Sequence, residues 1–75
     1  MIERTRNTID RLEVLYPREA SPILWEAVDI AWDTFVAAVL ALAESVRDSV
    51  WFAYQDALEL LQSACAMLVA EGCAA

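Results

Sequence analysis

Seventy-five residues hold at most one domain, and 60% of them are hydrophobic, with one glycine and two prolines. Such a chain is too apolar for disorder and too poor in turn residues for a sheet protein. A net charge of −7 with no lysine at all repels nucleic acid and anionic membrane, and it favours basic protein surfaces as partners.

The charge is unevenly spread. Residues 1–19 carry four acids (Glu3, Asp10, Glu13, Glu19) and four arginines (Arg4, Arg6, Arg11, Arg18), which cancel. Residues 20–75 carry eight acids (Glu26, Asp29, Asp33, Glu44, Asp48, Asp56, Glu59, Glu71) against Arg47 alone. The whole net charge therefore belongs to the longer, alanine- and leucine-rich part, whose residues favour helix.

In chain order, Ile2, Ile9, Leu12 and Tyr16 recur at helical spacing with Leu15 beside them, which predicts a short amphipathic helix over about 2–15. Arg6 and Asp10 stand four apart on it and can pair. Pro17 ends it, because the residue before a proline is pushed out of the α region. Residues 17–21 form a connector. Ser21 fits an N-cap and Pro22 the first helical position, where the missing N–H costs nothing.

From Pro22 to Glu71 no glycine or further proline interrupts the chain. Trp25, Val28, Trp32, Phe35, Val39, Leu42 and Val46 alternate by three and four, which is a heptad seam. The pattern slips between Val46 and Tyr54. A second seam follows at Tyr54, Ala57, Leu61, Ala64 and Leu68. Two architectures fit. A hairpin turning near Arg47-Asp48-Ser49 gives three helices, about 2–15, 22–46 and 49–71. A single helix of about 50 residues, roughly 75 Å long, would carry a stutter in its seam and dimerise. Polar positions 26, 29, 33, 44, 48, 55, 59 and 62 keep one helical phase, which favours the long helix. Two points favour the hairpin: a rod would leave its seam uncovered, and Ser45-Val46-Arg47-Asp48 matches a capping-box variant. The expected fold is all-α, a small helical bundle, with Gly72 stopping the last helix as a C′ residue. A chain this small buries only about 60% of its unfolded surface, so a homodimer is the expected assembly.

Cys65 is expected as a small, buried, reduced core residue and Cys73 as part of a frayed tail. Met1-Ile2-Glu3-Arg4 lacks the apolar core of a signal peptide, so a reducing cytoplasm is the expected compartment. The longest uncharged run, Leu60 to Ala70, has eleven residues, and a membrane span needs about 20.

The acids are the main chemical feature. Helical di-metal sites need Glu-x-x-His, and the chain has no histidine. Acid–base catalysis needs a carboxyl shifted by burial or by a partner, whereas these acids fall on a polar stripe. No phosphate-binding loop, activated nucleophile or metal spacing occurs, so no catalytic residue, cofactor or metal is expected. For any one acid the plain reading is a solvated face. Taken together, Glu26, Asp29, Asp33, Glu44, Asp48, Asp56 and Glu59 form a row that can imitate a phosphate backbone. On this view reversing Asp29 and Asp33 to lysine should abolish binding and leave the fold intact. Trp25 and Trp32 read as core. Trp51 and Phe52 fall beside Asp48 and Gln55, and Ile23 and Ile30 also stand off the seam. Cover by helix one, through Ile9, Leu12 and Tyr16, is the plainer account. An exposed aromatic anchor at Trp51 is the functional one.

A small, lysine-free helical chain with this acid row resembles the phage-encoded inhibitors, above all the acidic anti-CRISPR proteins that act as DNA mimics. The resemblance implies a phage inhibitor acting in a bacterial cytoplasm. It further implies a basic DNA- or PAM-binding region of a CRISPR effector complex as the target of the row, and with Trp51 as the aromatic anchor these residues make up the expected partner-binding surface. Direct binding of nucleic acid or membrane is not expected. The heptad seam suits a different class equally well, a small dimerisation or adaptor module that binds a partner helix. A mimic needs a closed core with acids outward, and an adaptor needs an open apolar groove.

Overall fold

The computed structural model describes residues 2–74, with side chains described over 2–72. Helix α1 spans Ile2–Leu15, α2 spans Pro22–Glu44 and α3 spans Asp48–Ala74. Among the described residues no helix is long and apolar enough to cross a membrane. The long helices fold back on one another as the hairpin, with only residues 45–47 between them. The molecule is a slender bundle of 43 × 18 × 15 Å. Its Cα radius of gyration of 13.3 Å exceeds the about 11 Å expected of a compact domain of this length.

Burial explains the hairpin. Trp25, Val28, Ala31 and Phe35 of α2 meet Tyr54, Ala57, Leu61, Ala64 and Leu68 of α3, and Ile9 of α1 completes the core. An unbroken rod would leave both seams to water, each large side chain losing about 1.5–3 kcal/mol of transfer free energy. The α3 seam is buried as its spacing predicts. On α2 the core takes Ala31 in place of Trp32, which is half-buried toward α1 under the Arg6 guanidinium, 5.4 Å from its ring. The stripe drifts because the helix turns in 3.6 residues rather than 3.5.

The ends of the elements differ from expectation by chemistry. Ser21 occupies the N-cap position, but its hydroxyl makes no cap hydrogen bond. Its carbonyl accepts the Trp25 N–H at 3.0 Å. The capping box at 45–48 is not used. Ser45 instead ends α2 in an extended conformation (φ −154, ψ 113), its N–H donating to the Ala41 carbonyl. The Arg47 carbonyl then accepts the Trp51 N–H at 2.9 Å, so α3 starts at Asp48. Val46 lies in this turn, 82% exposed, outside the seam that its spacing suggested. Leu15 is exposed as well, while Ile2, Leu12 and Tyr16 pack on the core.

Gly72 does not stop α3, which continues to Ala74. A Cβ at position 72 would run into the ring of Tyr16. Glycine is there to let α1 close onto the end of α3, which is a packing role and not a capping one. The side chain of Cys73 lies outside the described residues.

Candidate binding surfaces

Arg18 organises the contact between the connector and α2. Its guanidinium lies 4.7 Å from the centre of the Trp25 ring and donates to both Asp29 oxygens, at 2.8 and 3.1 Å. It also donates to Glu13 at the end of α1. Trp25 in turn donates its indole N–H to the Tyr16 carbonyl at 2.7 Å, so the buried ring leaves no polar atom unsatisfied. The hydrogen bonds from Arg18 hold the Asp29 carboxyl below the usual carboxylate range. The charges of Arg18 and Arg6 add to this, and partial burial works against it. The same bonds push Arg18 above its ordinary value. Asp29 is therefore a clasp for α1 and is half-buried. Reversing it to lysine would break that clasp, so the Asp29/Asp33 double reversal cannot serve as a purely surface change.

The hairpin also divides the acid row. Helix positions advance by about 100° each, so one phase along an unbroken helix becomes two edges once the chain doubles back. Glu26, Asp33 and Glu44 turn from α3, whereas Asp48, Asp56 and Glu59 turn from α2. All six are exposed. The continuity seen along the sequence does not survive in space. Arg6 and Asp10 do pair, at 3.2 Å.

Helix α1 does not cover the residues assigned to it. Trp51 is 43% exposed, and Phe52, Ile23 and Ile30 are exposed too. Face and length explain this: Ile23 and Ile30 lie on the side of α2 away from α1, and Trp51 and Phe52 lie beyond its end. At 1.5 Å per residue, α1 reaches along only part of α2, meeting Trp32 through Arg6, while Tyr16 and Arg18 of the connector meet Trp25 and Asp29. Trp51 is beyond that reach and leans on Tyr54, with ring centres 5.6 Å apart.

The α2–α3 pair therefore has one covered side and one open side. Between α1 and α3 lies a cleft lined by Arg4, Thr8, Leu58, Gln62 and Cys65. Cys65 is half-buried there rather than in the core, and burial pushes its thiol up. The open side carries an almost wholly apolar groove, lined by Ala27, Ile30, Leu60, Ser63, Ala64 and Met67. Ile30 is 59%, Leu60 51% and Met67 60% exposed. Alanines and a serine form the floor, and the three long side chains form the walls. Sequence reasoning placed Ile23 and Ile30 off the seam but did not connect them to Leu60 and Met67. The available signal was a second apolar stripe on each helix, offset from the seam. Among the described residues no cluster of three potential ligands could hold a metal. Comparison with protein-family models, curated proteins and solved structures finds no match for this chain.

Proposed function

We propose that this chain is a protein-binding module that seats a partner's helix on the open α2–α3 face. One observation carries the reading: Ile30, Leu60 and Met67 stand exposed around a floor of small residues on a face that α1 leaves bare. A small domain does not hold large apolar side chains together in water without cost, and such grooves suit amphipathic helices. This is the adaptor class of partner, and it assigns no catalytic residue or cofactor.

A second reading has its own observation in its favour. Glu26, Asp33 and Glu44 stand exposed along the outer edge of α2, and Glu44 sits at the helix end where the macrodipole disfavours an anion. An edge of that kind suits a phage inhibitor that blocks a basic nucleic-acid-handling protein, such as a CRISPR effector.

Paired variants separate the two. Ile30→Asp with Met67→Asp should abolish co-precipitation of the native partner, with the helical circular dichroism signal unchanged. Glu44→Lys, on the acid edge and away from the groove, should leave the partner bound. The opposite pattern would favour the acid edge and overturn the groove.

A further inference from the structure

Resting on the groove reading, we propose that the occupant of the α2–α3 face is a basic amphipathic helix of another protein. The apolar walls and the acids form one surface. Ile30 has Glu26 four residues before it and Asp33 three after it, the spacings at which helix side chains are neighbours. Ile23 shares Glu26. Leu60 has Asp56 four before it, and Met67 has Glu71 four after it. Each of these four large apolar side chains thus stands beside an exposed carboxylate.

Among the described residues of α2 and α3 no cation offsets them, and Arg4 and Arg11 stand on α1. Neither α2 nor α3 contains a lysine or arginine, and Arg47 lies in the turn at one end. Arg18 is committed to Asp29 and Glu13, and Arg6 to Asp10 and Trp32, on the side that α1 covers. Thr34, on the same stripe as Ile30, turns its hydroxyl back to the Ile30 carbonyl at 3.0 Å and so asks nothing of a ligand.

An apolar groove rimmed by carboxylates fits one ligand chemistry: an apolar stripe to enter the groove and flanking lysines or arginines to reach the rims. A second copy fits badly. It would bring Glu26, Asp33, Asp56 and Glu71 of one chain against the same acids of the other. Small floor residues allow the incoming backbone to approach closely. Ile23 to Ile30 and Leu60 to Met67 each span about 10 Å along their helices, so two to three turns of a ligand helix suffice.

The test uses the full chain with Met67 as reporter, its methyl group labelled with carbon-13. The probe is a synthetic amphipathic helix of about 18 residues, with leucines on one stripe and lysines elsewhere. One control replaces every lysine by glutamate, and another keeps the composition but scrambles the stripe. The leucine–lysine peptide should shift the Met67 methyl saturably at one peptide per chain, and neither control should. Glu26→Gln, Asp33→Asn and Asp56→Asn together should weaken it at least about tenfold, with helicity unchanged.

The possible failures are distinguishable. Equal binding of the glutamate peptide would overturn the charge preference and leave the groove as a helix site. Equal binding of the scrambled peptide, or binding that does not move Met67, would reduce the interaction to charge and overturn the proposal. If no peptide binds and Met67 shifts with protein concentration as the mass doubles, the occupant is a second copy. A Met67 signal indifferent to every peptide and to concentration would overturn the groove reading as well.

Discussion

Asp29 and Gly72 show how single residues take meanings that spacing alone does not give. Asp29 belongs to the acid row by sequence and to the Arg18 clasp by structure. The link was not legible because it spans eleven positions and depends on how the connector turns after Pro17. Its folded carboxyl is held low, so its contribution is present above the unfolded value of about 3.9. That contribution is lost as pH falls through the folded value. The pair is partly exposed, so Asp29→Asn should cost no more than about 1 kcal/mol at neutral pH. The gap between wild type and variant should close in acid, as read by urea melts from neutral pH down to about 2. At Gly72 the helix propensity of alanine would ordinarily add about 0.8–1 kcal/mol. Here the Cβ meets Tyr16, so Gly72→Ala should lower the melting temperature instead. In a Tyr16→Ala background the same change should raise it. Additivity between the two substitutions would mean that the contact has no energetic weight.

Helix α1 and the start of α2 were readable to the residue, because Pro17 and Pro22 punctuate them, and the heptad spacing marks the second seam, whereas α2 ends two residues earlier and α3 runs three residues further than expected. The turn was harder. Residues 45–47 contain neither glycine nor proline, and the polar phase runs through them unbroken. What ends α2 is the burial available when the seams meet, a tertiary effect that local chemistry does not encode. The carbonyl of Arg47, rather than the Ser45 hydroxyl, opens α3. Seam and turn should therefore respond very differently to substitution. Phe35 is fully buried, and Phe35→Ala should remove about 3–5 kcal/mol, enough to unfold much of so small a domain. Val46→Asp should stay within about 0.5 kcal/mol. Chemical denaturation followed by circular dichroism measures both. A large loss at Val46 would argue for a helix running through the turn.

For the whole molecule, doubling the chain back has two consequences. The acids that looked like one line become two edges, and one side of the long helices stays open because α1 can cover only the other. The sequence suggested that acids and apolar surface belong to rival functions, with a mimic closed and an adaptor open. In three dimensions they share a surface, since Glu26, Asp33, Asp56 and Glu71 border Ile30, Leu60 and Met67. That arrangement was not legible in the sequence because it depends on which faces of α2 and α3 turn toward each other. Photo-crosslinking is the most direct test, with a light-activated residue placed singly at position 30, 67 or 11 and irradiated in the native cell. Positions 30 and 67 should give one shared adduct and position 11 on α1 none. An adduct from position 11 with none from 30 or 67 would overturn the proposed α2–α3 docking face.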